Sequence, residues 1–353
     1  MAALGYKPCP GGTAVDYAPR TDVRVETVLS LHGGHPIVSL LGIFATAILP
    51  IVGVAAIGFG LGRYKGVEAD ALNTITVYVL GPALVVHSLA TSQLTGGTIL
   101  GVVAAVGLFT AAMIAVGEVV GRVTGYREPL LGAFVLVSAF PNTGNYGIPL
   151  ADFVFGPTGR GVAVLVTALQ AVMLYTVGIY IAARGGESDP LTDMKRVFGL
   201  PFVYAVVVAL AARWLGVVPP ANSTLMETLA LTGNASIPVM LLILGIQLSS
   251  VDAEGTLWPV GVASALRLVF APVVAVGAVL LVGFENPTVA RAVIVLLAAP
   301  TGVTTIILVG AFSTAESGFD PGEFTSATVF VTTVVSVVTV TGLIAALEVG
   351  LLV

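Results

Sequence analysis

The fold is decided by residues 139–150, a stretch rich in proline and glycine that reads Ala139-Phe140-Pro141-Asn142-Thr143-Gly144-Asn145-Tyr146-Gly147-Ile148-Pro149-Leu150. It lies inside an apolar segment of about residues 130–155, which is long enough to cross a bilayer as a helix. Pro141 and Pro149 lack a backbone N–H and clash with the preceding helical turn, and Gly144 and Gly147 add backbone freedom between them. We therefore expect a transmembrane helix that is interrupted near its centre.

Two polar amides, Asn142 and Asn145, lie in the same interruption, at a depth where polar groups are costly. In lipid, every backbone N–H and C=O needs a partner, so broken backbone is tolerated only inside protein or beside a wet cavity. One interpretation is a proline-kinked helix with structural amides. The combination of Pro141-Asn142-Thr143 with Gly147-Ile148-Pro149 favours the other interpretation, a polar site at which a half-helix presents its partially positive N-terminus.

The composition is that of a polytopic membrane protein. The chain has 353 residues, of which 57% are hydrophobic and 9% charged, and its mean hydropathy is +1.04; a soluble domain has about 25% charged residues. The single cysteine, Cys9, excludes an internal disulfide and a cysteine metal cluster. The 3 histidines lack metal-ligand spacing, and a net charge of −5 without a basic run argues against a nucleic-acid partner. We expect no metal and no cofactor beyond a coupling ion, H⁺ or Na⁺.

Residues 1–36 are polar, contain proline and glycine, and lack the apolar core of a signal peptide, so we expect a disordered tail. Alternatively, translation starts near Val38 and the tail is not made. The rest of the sequence divides at the polar stretch 184–196 into a first repeat, 37–183, and a second repeat, 197–349, each with five predicted transmembrane segments.

The two repeats place their helix breakers at matching positions. Gly81-Pro82 in the second predicted segment corresponds to Pro238 in the seventh, and Pro141-Asn142-Thr143 in the fourth corresponds to Pro300-Thr301-Gly302 in the ninth. Because five is an odd number, the second repeat enters the membrane from the opposite side. The predicted fold is an all-α membrane protein with ten transmembrane helices in two inverted five-helix repeats. Its helices 4 and 9 are both broken, a pattern typical of secondary transporters.

Positive charges give the predicted orientation. Lys and Arg are concentrated in the loops that follow predicted segments 1, 3 and 5, rather than in those that follow segments 2, 4, 6 and 8. Because cytoplasmic loops carry the excess of positive charge, we expect both termini outside the cell and loop 184–196 in the cytoplasm. Acidic residues in the inner loops of the second repeat, within 252–254 and 316–323, weaken this assignment.

At these residues the chain resembles the auxin efflux carrier family, which includes plant PIN-type carriers and bacterial carriers of small carboxylates. The motifs that carry the resemblance are Pro141-Asn142-Thr143 and Gly147-Ile148-Pro149-Leu150 for its first crossover helix, Pro300-Thr301-Gly302-Val303 for the second, Arg267-Leu268 with Pro272 for its eighth helix, and Pro82 with His87 for its second. The similarity as a whole covers most of the chain, from about Ser39 to Leu347.

The resemblance implies an elevator-type carrier, in which helices 1, 2, 6 and 7 form a scaffold. Helices 3–5 and 8–10 would carry the substrate at the crossover of helices 4 and 9. The implied substrate is a small organic anion, such as a carboxylate or an auxin-like acid, moved across the plasma membrane by a carrier that could be a homodimer. Two departures favour a generic organic anion over auxin: Leu200-Pro201-Phe202 stands where plant carriers have Asn-Pro-Asn, and the central loop is short.

The predicted substrate-binding residues come from both breaks: Pro141, Asn142, Thr143, Asn145, Pro300, Thr301, Gly302 and Thr304. Three further residues could gate or couple transport. His87 could titrate near neutrality, Glu118 could carry a coupling proton, and Arg267 lies mid-helix, where a charge costs about 2.5–3.5 kcal/mol. Each also has a structural interpretation, as a packed histidine, an interfacial carboxylate and a partnered arginine. Gln170 and Gln247 are interpreted as interhelical hydrogen bonds.

Other functions fit the sequence less well. A Na⁺/H⁺ antiporter or a cation-coupled carrier like the bile-acid symporters shares the architecture, but antiporters need carboxylates at the break, where this chain has amides. Aspartyl or zinc chemistry needs paired aspartates or a His/Glu cluster, and neither pattern occurs in the apolar segments. A receptor or a channel stays open as an alternative, because a sequence does not reveal turnover. We expect a transporter and not an enzyme.

The tail is expected to be dispensable, since residues 1–36 contain no spanning segment and few groups able to pack. A chain that begins at Val38, with an initiating methionine, should insert into the membrane and transport as the full chain does. Membrane abundance and uptake, compared between the two chains, check this expectation. Loss of either in the shorter chain would count against it.

Overall fold

The computed structural model describes residues 48–185, 199–251, 257–312 and 320–350, together with residues 42 and 45. Within these ranges the chain is mostly helical, and some helices contain a π-helical turn. The predicted tail, 1–36, and most of the predicted loop, 184–196, lie outside the described residues.

The described helices follow the apolar segments of the sequence. They are α1 Leu49–Lys65, α2 Asp70–Thr91, α3 Gly96–Val123, α4 Leu130–Ala139, α5 Thr143–Ala182, α6 Pro201–Trp214, α7 Thr224–Ser249, α8 Trp258–Val282, α9 Pro287–Leu297, α10 Thr304–Phe312 and α11 Pro321–Glu348. π-Helical turns interrupt α2, α5 and α8. Proline begins α6, α9 and α11, because the first turn of a helix does not need its N–H and the ring fixes a helical φ.

Among the described residues, 6 helices are long and apolar enough to cross a membrane: α2, α3, α5, α7, α8 and α11. Three more, α4, α6 and α9, are apolar but shorter. Large apolar side chains such as Leu231, Leu281 and Val338 are exposed on the outside of the bundle, as expected of a surface that faces lipid. The chain is a multi-pass membrane protein.

The helix α5 is too long to be one straight span. Its 40 residues would extend about 60 Å, twice the thickness of the hydrocarbon core. It bends at Gly156, whose φ of 61° and ψ of −150° suit glycine. The guanidinium of Arg160 donates to the Asp152 carboxylate at 2.7 Å, although residues eight apart in a straight helix are about 12 Å apart. This ion pair holds α5 in two arms, residues 143–155 and 157–182.

The helices pack in two sets. In the first set, α7 packs on α1 and α2, and α6 packs on α2. In the second set, α3 packs on α4, α5 and α8, α9 packs on α5 and α8, and α11 packs on α4, α8 and α10. Contacts of α5 with α2 and α7 join the two sets. Small residues let α1 and α7 approach closely, which is a common way to pack helices in lipid.

The closeness of α1 and α7 can be tested at Gly245. A Cβ there would lie 1.9 Å from the Ala55 carbonyl oxygen and 2.6 Å from the Phe59 nitrogen, so Gly245→Ala forces the helices apart. We expect a loss of stability of about 1–3 kcal/mol, seen as a lower Tm in detergent. Gly53→Ala is the matched control, since a Cβ there meets nothing within 4 Å and alanine favours a helix. An unchanged Tm for Gly245→Ala would rule out this packing.

Candidate functional site

The break between α4 and α5 lies beside the break between α9 and α10, and the two pair through their backbones. The Asn142 N–H donates to the Pro300 carbonyl at 2.7 Å, and the Gly302 N–H donates to the Phe140 carbonyl at 2.9 Å. These two bonds form an antiparallel bridge between the breaks. Each break therefore satisfies backbone groups that the other releases, as the interior of a membrane requires. We call this paired region the crossover.

Thr301 fixes the second break to its surroundings. Its hydroxyl donates to the Val137 carbonyl of α4 at 2.9 Å, and its N–H donates to the Thr332 hydroxyl of α11 at 3.2 Å. The next residue, Gly302, has little room for a side chain, because a Cβ there would lie 3.2 Å from the Pro141 carbonyl oxygen. The second break is thus fixed by its contacts with α4, with α11 and with the first break.

Arg267 neutralises the carbonyl ends at the crossover. It is fully buried on α8, and its guanidinium donates to the carbonyls of Ala299 at 2.8 Å and Ser138 at 3.2 Å, and also to that of Leu297. These carbonyls lie at the C-terminal ends of α4 and α9, where the helix dipoles place partial negative charge. The guanidinium also lies 5.7 Å from the centre of the Phe109 ring. One cation therefore caps two half-helices at once.

The N-terminal ends of α5 and α10 open into a cavity of about 650 Å³, a size typical of small-molecule sites. Its wall is built from both breaks, from α2, from the second arm of α5, from the start of α6 and from α7. Because free N–H groups and partial positive charge lie at helix N-termini, this arrangement suits an anionic ligand.

Four polar side-chain atoms of the cavity wall are buried and have no partner among the described residues: Asn142 Nδ2, Gln170 Oε1, Thr76 Oγ1 and Thr167 Oγ1. Asn142 is 7% exposed and Gln170 4%. An unpaired buried polar group costs about 1–3 kcal/mol, so the wall suits a ligand that carries polar groups of its own. Among the described lining residues, Asp70 alone has a formal charge, and it is exposed.

The structure brings most of the predicted binding residues together. Those that line the cavity are Pro141, Asn142, Thr143, Asn145, Gly302 and Thr304. Pro300 and Thr301 belong instead to the backbone bridge between the breaks. Asn145 also reaches α7, where its Nδ2 lies 3.5 Å from Gln247 Oε1, too far for a strong hydrogen bond. A role for these residues in binding stays a prediction.

The three residues predicted to gate or couple transport are not among the described residues of the cavity wall. Arg267 lies behind the crossover. Glu118, near the end of α3, pairs with Arg122 at 2.5 Å and with Arg184 at 2.7 Å. His87 is partly buried on α2. Gating and coupling by these side chains stay predictions, and the contacts of Glu118 are those of a structural ion pair at the end of the bundle.

Sequence reasoning did not assign Gln170 to the cavity. The expected interhelical hydrogen bond is present, since Gln170 Nε2 donates to the Thr110 hydroxyl of α3 at 3.0 Å. Gln170 also lines the cavity, and the other end of its amide, Oε1, has no partner among the described residues. Thr76 and Thr167 were also missed. The available signal was a polar side chain on an otherwise apolar helix, which in a membrane protein marks a candidate functional position.

A cavity at paired helix breaks inside a multi-pass bundle is the arrangement of membrane transporters. Comparison with known proteins agrees, because a family model described as "Membrane transport protein" matches residues 43–344. The chain belongs to this family, that of the auxin efflux carrier-like transporters. It is a transporter and not an enzyme.

Relatives are found in bacteria and archaea. The chain is 26% identical over 318 residues to a Rhizobium meliloti protein named "Putative malonate transporter", with 86% of this chain and 96% of the relative covered. It is 24% identical over 238 residues to an uncharacterized transporter of Methanocaldococcus jannaschii, covering 65% and 75%. A further uncharacterized transporter, of Methanothermobacter thermautotrophicus, is 24% identical over 263 residues, covering 74% and 80%.

The structural role of Arg267 predicts the effect of its loss. In Arg267→Gln, the carbonyl ends of two half-helices lose their common donor inside the bundle, at a cost of about 3–5 kcal/mol. Arg267→Lys should fail similarly, because a compact ammonium cannot reach three carbonyls as a planar guanidinium does. Membrane abundance and Tm should both fall, whereas Arg63→Gln at the exposed end of α1 should leave them unchanged.

Normal abundance of Arg267→Gln, combined with a selective loss of anion binding, would show that this arginine contacts the ligand rather than the half-helices. Abundance measured by immunoblot of membranes and Tm measured on the purified protein separate the two cases.

Proposed function

We propose that the protein is a secondary active carrier that binds a small organic anion, most simply a carboxylate, in the cavity at the crossover. The observation that carries this proposal is Asn142, whose Nδ2 is buried and has no partner among the described residues. A carboxylate is an acceptor-only group that such a donor can bind. The adjoining start of α5 adds free N–H groups and partial positive charge.

Neutral donors suit a carrier, which must release what it binds. The described wall has no Lys or Arg. A bound carboxylate would be held by a charge-assisted hydrogen bond of about 1.5–3 kcal/mol and by the helix end, at about 0.3–1 kcal/mol. Arg267 contributes its charge from behind the crossover, where it stabilises the half-helices without forming an ion pair with the substrate.

The relatives support the substrate class. The Rhizobium meliloti protein, which aligns with most of this chain, is named for malonate, a small dicarboxylate. Leu200 and Phe202 line the cavity at the position where plant carriers of the family have asparagines. This apolar replacement favours a generic organic acid over auxin.

We further propose that the chain forms ten spans in two inverted five-helix repeats and works as an elevator. The fourth span is α4 with the first arm of α5, and the ninth is α9 with α10. The scaffold would be the set of α1, α2, α6 and α7. The moving part would be α3, α4 and α5 together with α8, α9, α10 and α11. The separate packing of these two sets supports the division, and the contacts of α5 with α2 and α7 would be the sliding surface.

The position of the cavity supports an inward-facing state. At one end it is lined by Asp70, Leu200 and Gln247, which lie at the start of α2, before α6 and near the end of α7. In the orientation predicted from positive charge, these helix ends are cytoplasmic and both termini are outside. The cavity would then open to the cytoplasm in the plasma membrane.

Coupling to Na⁺ at the crossover is disfavoured, because Arg267 already neutralises the carbonyl ends that a bound cation would contact. The antiporter alternative also lacks support, since Asp70 at the mouth is the one carboxylate among the described lining residues.

Uptake of labelled malonate into proteoliposomes should exceed that of protein-free vesicles and should not change when K⁺ replaces Na⁺ outside. Stimulation by a Na⁺ gradient would favour the symporter alternative instead.

Asn142 gives the sharpest test of the proposed site. Losing its hydrogen bond to an anion should weaken binding about tenfold to a hundredfold in Asn142→Ala. The Tm should hardly change, because the bridge to Pro300 uses the backbone N–H and not the side chain. Asn142→Asp should bind even more weakly, since it sets a like charge against the anion. Asn222→Ala, at an exposed asparagine before α7, is the matched control.

Binding is measured by competition against labelled malonate. If Asn142→Asp binds the anion as tightly as the parent protein, the substrate does not lie at the crossover or is not anionic there.

A further inference from the structure

Gln170 lines the cavity, and its carbonyl oxygen is the end of the amide that has no partner among the described residues. Its Nε2 donates to the Thr110 hydroxyl at 3.0 Å. The opposite atom, Oε1, is buried and has no partner among the described residues. Because a carboxamide oxygen only accepts hydrogen bonds, this position in the cavity needs a donor.

Gln170, which carries the acceptor, and Asn142, which carries the donor, come from parts of the chain that meet at the cavity. Gly144, which follows Asn142 closely in the first break, faces the second arm of α5: a Cβ on Gly144 would lie 3.8 Å from Thr167 Cγ2. Gln170 comes three residues after Thr167 on the same face of that arm, about 5 Å further along the helix. Asn142 and Gln170 therefore belong to neighbouring parts of one cavity wall.

We propose that the substrate carries two complementary groups, a carboxylate for Asn142 and a hydrogen-bond donor for Gln170. Hydroxy acids and the monoprotonated forms of short dicarboxylic acids have both groups on a short skeleton. A simple monocarboxylate lacks the donor, and a fully ionised dicarboxylate sets a second negative charge against Gln170 Oε1. This inference rests on the proposed function and narrows the substrate class within it.

The two kinds of polar group in the wall differ in how far they can adapt. The hydroxyls of Thr76 and Thr167 can donate or accept, and they rotate to suit a ligand. The Gln170 amide is held at one end by its bond to Thr110, and it could reverse only if the Thr110 hydroxyl changed from acceptor to donor. A site with a buried fixed acceptor rejects a ligand that lacks the donor, because the acceptor is then left unpaired. Gln170 is thus the specificity-determining residue of the pair.

Matched pairs of acids test the inference on the purified full chain. Glycolate has a hydroxyl donor that methoxyacetate lacks, and hydrogen malonate has an acid proton that monomethyl malonate lacks. Each acid competes with labelled malonate, at a pH where malonate is the monoanion. The parent protein should prefer the donor-bearing member of each pair by about tenfold to a hundredfold.

Two variants separate the acceptor from the shape of the cavity. Gln170→Met keeps the length of the side chain but removes the acceptor, and it should bring both preference ratios close to one. Gln247→Met changes another amide of the wall and should keep the preference, whatever it does to affinity. A preference that survives in Gln170→Met would mean that the added methyl group is excluded by shape, and it would overturn the inference.

Equal binding of both members of each pair by the parent protein would overturn the inference and leave the proposed function standing. If none of these acids binds, malonate included, the proposed function fails and the inference fails with it. Ratios close to one in the parent protein overturn the inference even if Gln170→Met does not fold.

Discussion

A helix that breaks inside a membrane must find partners for the backbone groups that it releases, and in this protein each break finds them in the other. The N–H groups of Asn142 and Gly302 donate across the crossover to carbonyls of the opposite break. The guanidinium of Arg267 then donates hydrogen bonds to carbonyl groups at the C-terminal ends of both α4 and α9. Because an unpaired polar group in an apolar interior is costly, each break stabilises the other. The bridge, the buried arginine and the cavity form one structural unit.

This arrangement separates the charge of Arg267, which stabilises the fold, from the polar groups that line the cavity. The guanidinium of Arg267 is fully buried behind the crossover, while the cavity presents amides, hydroxyls and helix N-termini. A fixed positive charge in the cavity would bind an organic anion more tightly but would also slow its release. Neutral donors bind less tightly and release faster, which suits the proposed carrier of organic anions. If the proposed site is correct, specificity comes from the donor and acceptor pattern of the wall rather than from its charge.

The features that could be predicted from the sequence are local ones. Pro141 and Pro300 mark the breaks because proline cannot continue a helix, and the motifs around them led to a family assignment that is confirmed. The features that could not be predicted depend on distant contacts. The carbonyl partners of Arg267 lie 30 to 129 residues away, and the Thr110 hydroxyl that orients Gln170 lies 60 residues away. One sequence does not reveal which faces of which helices meet. The inverted repeat and the roles of the site residues remain predictions.

Occupation of the crossover by the substrate can be measured through the protection of a single thiol. The chain has 1 cysteine, so Cys9→Ser gives a background in which Thr304→Cys places one thiol in the cavity wall at the start of α10. Malonate should slow the reaction of this thiol with a maleimide, saturably and over the concentration range of transport. Trp214→Cys, at a residue that is 86% exposed, should react at an unchanged rate. Equal labelling of Thr304→Cys with and without malonate, in protein that transports malonate, would place the substrate elsewhere.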